Sequence, residues 1–356
     1  MPVRSPPPIS NVTVMRWSII VVAVVAAALL LWQLRGLLLM VFAAVLVAII
    51  FRSAADWLAA RARIPPGGAL VLVLLALSGG IAASAYLFGT ELSTQFSELV
   101  ANLPAAWAMF ERTLGQLAFG RELLAQIEQA APDGTAIMAT VQTVVTTLGS
   151  ILSGFVLVLV AGIYLAAQPH YYRHGLLKLV PARHRDHWRE TLRVTGRAIR
   201  LWLIGQLVAM IGVGLLTGIG LWLLGVPAPF ALAILAALAE FIPFAGPILA
   251  AVPGLLFAST QGIDTFLWAA ALYLVVQQVE GNLLTPLIQR HAVDLPPALT
   301  VFALVAMGGL FGVGGLLLAA PLTVVAFVAT KKLYVRDVLH EATPLPGEPD
   351  DHAVAR

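Results

Sequence analysis

The stretch Ala239-Glu240-Phe241-Ile242-Pro243-Phe244-Ala245-Gly246-Pro247 interrupts a run that is otherwise built of Ala, Leu, Val and Ile. A charged side chain at the centre of a bilayer costs at least about 2.5 kcal/mol, and each proline removes a helical hydrogen bond. Such residues are tolerated where they line a cavity instead of facing lipid. The stretch therefore predicts part of a substrate or ion pathway inside a membrane protein.

A second polar stretch, Gln277-Gln278-Val279-Glu280-Gly281-Asn282, follows further along the chain. Glu240 and Glu280 are the only carboxylates that we place well inside predicted spans. Withdrawal from water favours the protonated form of a carboxyl group, so each is a candidate for loading and releasing a proton at physiological pH. The alternative is that a structural partner, such as Arg200 or Arg290, neutralises each of them.

The neutral polar groups near these glutamates have two possible roles. Gln277, Gln278, Asn282 and, more weakly, Gln206 suit either binding of a hydroxylated substrate or hydrogen bonds between helices. The unwound backbone at 243–247 is expected to leave carbonyl groups, such as that of Ala239, without helical partners. Free carbonyls of this kind coordinate a cation or accept hydrogen bonds from a polyol.

The composition indicates a multi-pass membrane protein. Hydrophobic residues make up 60% of the chain, charged residues 11%, and the mean hydropathy is +0.92, whereas ordinary soluble domains carry about 25% charged residues. The net charge of +3 is no basis for a nucleic-acid partner. Because the chain has no cysteine, disulfides and thiolate metal sites are excluded.

Hydropathy divides the chain into seven parts. They are a disordered N-terminus (1–15), three N-terminal spans (16–89), extracytoplasmic amphipathic helices (90–146), a fourth span (147–167), a basic cytoplasmic loop (168–200), a C-terminal transport core (201–330) and a cytoplasmic tail (331–356). The sequence thus predicts an all-α polytopic membrane protein of about eight membrane segments, with broken or re-entrant helices in the C-terminal half and an amphipathic helical extracytoplasmic insert.

The insert at 90–146 carries apolar residues at intervals of three and four, as an amphipathic helix does. Asn102 followed by Pro104 predicts a helix cap and first turn, so two helices are expected here. Acidic residues dominate the polar face, and the scarcity of Lys and Arg favours the extracytoplasmic side. The helices are expected to pack on the outer membrane surface or on neighbouring subunits, with substrate gating as the alternative.

The loop at 168–200 is the most basic part of the chain and is therefore predicted to be cytoplasmic. Arg189, Arg193 and Arg197 share one helical face, which suits anionic lipid headgroups; the favoured interpretation is that they only fix the topology and stay solvated. His170 with His174 and His184 with His187 have helical metal-ligand spacing, but no metal site is expected without further ligands.

Two segments of the C-terminal half are interrupted. The apolar helix at 230–241 is about 18 Å long at 1.5 Å per residue, too short for a hydrocarbon core of about 30 Å. The segment at 297–330 is too long for one span and is broken at its glycines. If both segments cross, there are eight spans and Arg290 faces outward; if both fold back, there are six spans with two hairpins. We prefer eight spans, and both arrangements leave the two termini in the cytoplasm.

Four motifs occur together in this chain. They are Arg200-Leu201-Trp202-Leu203-Ile204-Gly205-Gln206, the stretch from Glu240 to Pro247, the stretch from Gln277 to Asn282 with Pro286, and Leu295-Pro296-Pro297 followed by the stretch from Gly308 to Pro321. This combination resembles the AI-2E family, the autoinducer-2 exporter-like transporters, over about 17–332. The resemblance implies a secondary transporter in the inner (plasma) membrane that is homo-oligomeric, with a pentamer among the expected forms. Family members are linked to export of the quorum-sensing signal autoinducer-2 or to exchange of sodium or lithium ions for protons.

Enzyme and pump functions find no support in the motifs. The chain has no Gly-Lys pair for a Walker A motif and no His-Glu-x-x-His or Gly-x-Ser-x-Gly motif. We expect no enzyme activity and no cofactor. The favoured function is gradient-driven export of a small polar organic molecule, with sodium or lithium ion/proton antiport as the runner-up and a non-transporting membrane scaffold as the alternative of another class.

The sequence also gives a set of candidate site residues. Pathway candidates are Glu240, Pro243, Gly246, Pro247, Gln277, Gln278, Glu280, Asn282 and Pro286, with Arg200, Gln206 and Arg290 in supporting positions. Membrane lipids and a small-molecule or ion substrate are the expected partners.

Overall fold

A computed structural model describes residues 11–116, 122, 124, 155–284, 295–341 and 343. The predicted N-terminal lead-in (up to residue 10), most of the second half of the insert, Pro286, Arg290 and most of the tail lie outside these described residues. Within them the chain is almost wholly helical and contains no strand. The prediction of an all-α membrane protein is therefore confirmed.

In the described part of the N-terminal half, three long apolar helices are followed by two shorter helices. They are α1 (Asn11–Gln33), α2 (Arg35–Ala62), α3 (Pro66–Gly115), α4 (Phe155–Ala167) and α5 (Pro169–Lys178). Left-handed backbone at Arg63 ends α2, and a proline at the first turn begins α3. Helices α4 and α5 are bent by 87° at Gln168.

The C-terminal half contains both long and interrupted helices. They are α6 (Arg185–Leu223), α7 (Pro229–Ala239), α8 (Ala245–Ser259), α9 (Ile263–Val279) and α10 (Pro297–Thr330). A π-helical turn, Glu280–Leu284, extends α9, and another, Lys331–Arg336, extends α10. Within the described ranges, five helices are long and apolar enough to cross a membrane, or six if the bent pair α4 and α5 is one span, so a count of eight is not confirmed.

Helices α7 and α8 fold back on each other and form a first hairpin. The first turn of α7, at Ala231 and Leu232, lies in the same apolar cluster as Leu256 and Phe257 near the end of α8. Further in, Ala236 of α7 packs with Ala250 of α8. Since both outer ends of the hairpin contact the same group of residues, the segment enters and leaves on one side.

The second interrupted segment, α10, also reverses. Gly312 has left-handed backbone angles (φ 63°, ψ −148°) inside it. A Cβ atom built on Gly315 would lie 2.9 Å from the carbonyl carbon of Met307, which a straight helix would keep two turns away. Leu304 and Ala319 likewise share one cluster. The arms 297–311 and 313–330 therefore form a second hairpin, and the preferred count of eight crossings is not confirmed.

The predicted break in the insert at Asn102 and Pro104 is wrong. Helix α3 runs without interruption through Pro104 as one helix of 50 residues. Leu103 and Trp107, on either side of the proline, are buried against the outer ends of the first hairpin. Burial of these apolar side chains outweighs the hydrogen bond that the proline removes.

Polar contacts also fasten α3 to the first hairpin. The Gln95 Oε1 atom accepts a hydrogen bond of 3.1 Å from the backbone N–H of Ala231, and the Thr113 hydroxyl donates one of 3.4 Å to the carbonyl of Ser259. The amide oxygen of Gln95 thereby satisfies one of the N–H groups that every helix start leaves unpaired. The described part of the insert is thus joined to the C-terminal half of the chain.

The opposite end of the molecule is basic, and we call it the basic side. It is the end at which α6 begins and α10 finishes. Asp337 joins the two, because its Oδ1 atom lies 2.8 Å from Lys332 Nζ and its Oδ2 atom 3.1 Å from His187 Nε2. Two arginines of the predicted basic face, Arg189 and Arg193, pair with Asp186 and Glu190 of their own helix.

The hairpin arrangement predicts where an exposed loop residue faces. Gln261 is exposed between α8 and α9, and it lies on the side away from Arg183 only if the first hairpin folds back. Because the chain has no native cysteine, Gln261→Cys and Arg183→Cys can each be probed with a membrane-impermeant maleimide. We expect labelling from opposite sides of the membrane. Labelling of both from the same side would contradict the hairpin.

Candidate functional site

The turn between α7 and α8 is the tip of the first hairpin. Its backbone is closed by hydrogen bonds from Ile242 N–H to Ala239 O (2.9 Å), from Gly246 N–H to Ile242 O (2.8 Å) and from Ala245 N–H to Pro243 O (2.8 Å). The last bond spans two residues and is a γ-turn. These bonds define a tight turn between two apolar helices.

Phe244, at the centre of this γ-turn, has a φ of 65° and a ψ of −47°. The γ-turn of this hand is rare and strained, and a side chain at positive φ costs about 1–3 kcal/mol. Strained backbone of this kind is concentrated at functional sites. The tip therefore has the character of a functional element.

The expectation of free backbone carbonyls at the tip is corrected. The Ala239 carbonyl accepts the hydrogen bond from Ile242, and the Glu240 carbonyl accepts one of 2.6 Å from Gln206 Nε2 on α6. Buried backbone carbonyls are almost always paired, and here one is paired by the turn itself and the other by a side chain of α6. The Gln206 side chain thus holds the tip against α6.

The hairpin tip is held in the middle of the protein by packing. Ile242 is buried in a cluster with Leu304 and Ala319 of the second hairpin. Phe241 packs on Trp202 of α6, with ring centroids 5.9 Å apart and ring planes at 75°. The tip therefore lies between α6 and the second hairpin, with Ile242 buried and Phe244 exposed.

Beside the tip is a cavity of about 360 Å³ between α6, the first hairpin and α9. Most of its lining is apolar, from residues such as Val213, Ile248 and Leu274. Five polar side chains also line it: Thr217, Glu240, Tyr273, Gln277 and Glu280. A mostly apolar pocket with a few polar groups is the usual form of a small-molecule site.

The two glutamates that the sequence singles out both line this cavity. Glu240 is only 3% exposed, and Glu280 is half-buried with a hydrogen bond from Gln277. Their charges repel when both are ionised. Among the described residues neither carboxylate forms an ion pair, so Arg200 does not neutralise them there.

The other candidate residues fall into different places. Pro247 lines the cavity, whereas Gly246 is buried in the tip and Pro243 forms part of its turn. Gln278 and Asn282 face away from the cavity and line a shallow groove on the outer surface of α9. They do share one helical face, as their spacing predicts. Pro286 and Arg290 are outside the described residues.

Sequence reasoning missed Thr217 and Tyr273. Tyr273 stands four residues before Gln277 and seven before Glu280, which places all three on one face of α9 and was the available signal. Gly254 leaves room for the tyrosine, since a Cβ atom there would lie 2.6 Å from the Tyr273 ring carbon Cζ. Thr217 has no such signal, because a single threonine in an apolar helix is common.

Glu280 also opens the π-helical turn Glu280–Leu284. Short π-helical segments are rare and frequently occur at functional sites. Both glutamates thus stand where a regular α-helix ends, Glu240 after α7 and Glu280 after α9.

Several helices long and apolar enough to cross a membrane, two hairpins that reverse among them and a mostly apolar cavity that holds two carboxyl groups are typical of a polytopic membrane transporter. The sequence profile of the AI-2E family transporters matches residues 19–335. The chain belongs to the AI-2E family.

Individual relatives agree with this assignment. YrrI of Bacillus subtilis (strain 168) is 24% identical over 295 residues, covering 79% of this chain and 82% of YrrI. A protein of Mycobacterium tuberculosis (strain CDC 1551 / Oshkosh) is 30% identical over 303 residues, covering 79% of this chain and 78% of that protein. PerM of Escherichia coli (strain K12) is 31% identical over 137 residues, covering 38% of each chain. The first two are named as candidate transport proteins and PerM as a candidate permease.

The close packing of the hairpin tip predicts the effect of a methyl group at Gly246. A Cβ atom there would lie 2.6 Å from the carbonyl carbon of Ala239 and 3.1 Å from the nitrogen of Glu240. We expect Gly246→Ala to destabilise the protein by about 1–3 kcal/mol through overpacking, seen as a lower midpoint of thermal unfolding in detergent. Gly309→Ala is the control, because nothing lies within 4 Å of a Cβ atom at that position. Equal midpoints for the two variants would contradict the tip geometry.

Proposed function

We propose that this protein is a gradient-driven secondary transporter that exports a small polar organic molecule, of the autoinducer-2 type, through the cavity beside the first hairpin. In this proposal Glu240 and Glu280 carry the proton that couples transport to the gradient. The observation that carries it is the pair of carboxylates in one largely apolar cavity, with no ion-pair partner among the described residues.

The chemistry of such a pair suits coupling. Two carboxylates in one low-dielectric site cannot both be ionised without repulsion, so one of them readily holds a proton. A substrate that binds beside the pair changes this balance, and the proton leaves or enters with the substrate. Membership of a transporter family supports this use of the site.

The hairpins suggest how access alternates. In many secondary transporters, discontinuous helices meet near the middle of the membrane and one group of helices rocks against another around a fixed site. Here the tip with Ile242 lies against the second hairpin, and the hairpins open toward opposite sides. We propose that movement between them exposes the cavity to each side in turn.

We further propose that the basic side faces the cytoplasm, which puts both termini inside the cell and the protein in the plasma membrane of the cell. The support is the concentration of arginine near the start of α6, since Lys and Arg are enriched in cytoplasmic loops. Export is the direction that the resemblance to autoinducer-2 exporters favours.

Sodium or lithium ion/proton antiport is the second candidate function. The observation that favours it is the oxygen-rich polar lining of the cavity, from two carboxylates, two hydroxyls and one amide. Hard cations prefer oxygen ligands. The backbone carbonyls of the tip, in contrast, are already engaged in hydrogen bonds.

The outward-facing amides support a proposal about assembly. Gln278 and Asn282 are exposed on α9 beside the apolar Leu274 and Leu283. Amide groups that face lipid leave hydrogen bonds unmade, whereas amides between helices are paired. We therefore propose that a second copy of the chain covers this groove in a homo-oligomer, for which a pentamer is the form implied by the family resemblance.

Proton movement in proteoliposomes tests the transport proposal. The purified protein is reconstituted with an internal pH dye, and the vesicles are given a gradient of a small hydroxylated solute or an external pulse of sodium, lithium or potassium. A solute gradient that moves protons supports export, and a sodium or lithium pulse that does so supports the second candidate. In either case Glu240→Gln and Glu280→Gln should each abolish coupled proton movement, because an amide does not titrate.

Glu98→Gln is the matched control for that experiment, since Glu98 is exposed on α3 and does not line the cavity. It should transport like the unchanged protein. Full coupling in both cavity variants would rule out the proposed role of the glutamates, and no response to any solute or cation from folded protein would favour the scaffold alternative.

The assembly proposal predicts that removing the two amides weakens self-association. Interhelical hydrogen bonds in membranes contribute about 0.6 kcal/mol each, so Gln278→Leu combined with Asn282→Leu should raise the dissociation constant about 5- to 10-fold. The measurement is the oligomer distribution against protein concentration in detergent by native mass spectrometry. Gln261→Leu, which lies in a loop, is the control, and an unchanged distribution in the double variant would contradict the proposed interface.

A further inference from the structure

Two hydroxyl groups that line the cavity are buried without partners. Thr217 is 0% exposed, and its Oγ1 atom has no hydrogen-bond partner in the described part of the chain. The hydroxyl of Tyr273 is likewise buried and unpartnered there. An unpaired buried polar group costs about 1–3 kcal/mol. Two of them on one cavity indicate a ligand that offers hydrogen bonds to both.

The charge of the cavity narrows the chemistry of that ligand. Glu240 and Glu280 both line it, and their negative charges repel. Neither has an ion pair with any residue that the structure describes. A cationic ligand relieves this repulsion, a neutral ligand leaves it unchanged, and an anionic ligand increases it.

The apolar part of the lining indicates that the ligand also has an apolar body. Around the polar groups, the wall is formed by aliphatic side chains from three elements, among them Val213, Leu255 and Val276. A bare inorganic cation would gain nothing from this surface, whereas a hydrocarbon group would be removed from water against it. The Tyr273 ring adds an aromatic surface to which a cation is attracted.

We propose that this cavity binds a small amphiphilic primary amine, with Glu240 as the countercharge of its ammonium group and the Thr217 and Tyr273 hydroxyls as hydrogen-bond acceptors. A primary ammonium group carries three N–H donors, which matches these three oxygen-bearing groups. The inference rests on the proposed function and narrows its cargo from polar organic molecules to protonated amines.

The proposal also gives the coupling a definite form. The ammonium group requires the ionised form of Glu240, so a proton held there must leave to solvent before or as the amine enters. Proton and amine therefore compete for one carboxylate. Thr217 and Tyr273 position the amine and do not themselves carry the proton.

Binding to the purified full-length protein in lipid nanodiscs tests the proposal. The probes are 2-phenylethylamine, 2-phenylethanol and phenylacetate, which have similar bodies and are positive, neutral and negative at neutral pH. By titration calorimetry we expect the amine to bind at least about 10-fold more tightly than the alcohol, because hydrogen bonds to ionised groups are about twice as strong as neutral ones. Phenylacetate should show no measurable binding. Equal affinities for amine and alcohol would overturn the proposal.

Substitutions then separate a binding role from a structural one. Thr217→Val and Tyr273→Phe should each weaken amine binding about 5- to 10-fold, the loss of one hydrogen bond, and Glu240→Gln should weaken it further. Thr217→Ser, which keeps the hydroxyl, should bind like the unchanged protein. Thr195→Val is the matched control, since its Oγ1 atom is also buried and unpartnered but does not line the cavity. The Thr217 and Tyr273 hydroxyls would have no part in binding if Thr195→Val lost as much amine affinity as Thr217→Val and Tyr273→Phe. The same conclusion would follow if Thr217→Val and Tyr273→Phe bound the amine as tightly as the unchanged protein.

The outcome for the amine can be told apart from the outcome for transport itself. If the amine fails to bind while another solute or cation moves protons through Glu240 in proteoliposomes, the cargo class is wrong and the transporter proposal stands. If the amine binds as described while nothing moves protons, the cavity is a binding site and the transport proposal fails.

Discussion

The arrangement of helices around the cavity depends on the close contact between Gly246 and the carbonyl group of Ala239. Only a residue without a side chain lets α8 begin so close to the end of α7, and the chain can then reverse within five residues, 240–244. The reversal places Glu240 beside α9, presses Ile242 onto the second hairpin and leaves the Glu240 carbonyl within reach of Gln206. The position of the cavity, the carboxyl group of Glu240 in it and the hydrogen bond from Gln206 all depend on this one turn.

The sequence predicted the helical class and the unusual segments because both depend on composition and local pattern. Apolar length identifies spans, and prolines, glycines and carboxylates inside apolar runs identify the places where helices break. Local pattern was insufficient where contacts between residues far apart in the sequence determine the structure. A short broken helix can either continue across the membrane or return to the same side, and only the packing of its two ends against α3 distinguishes these arrangements. Pro104 likewise has the local form of a helix start, yet the burial of Leu103 and Trp107 keeps α3 continuous.

In the candidate site, too, local pattern identifies some residues, and long-range packing determines the others. Glu240, Glu280 and Gln277 were found from sequence because polar side chains in predicted spans are costly. Which of the neighbouring amides join them depends on the rotation of α9, and the structure turns Gln278 and Asn282 outward while Tyr273 faces the cavity. Thr217 comes from α6, far away in sequence, and no local pattern connects it with the glutamates.

The unbroken length of α3 has a mechanical meaning. At 1.5 Å per residue its 50 residues extend about 75 Å, more than twice the thickness of a hydrocarbon core of about 30 Å. One half packs with α2, while the projecting half grips both outer ends of the first hairpin. A single helix therefore joins the contact with α2 to the base of the hairpin whose tip carries Glu240. A force that tilts the projecting half of α3 would move that base and, through it, the wall of the cavity.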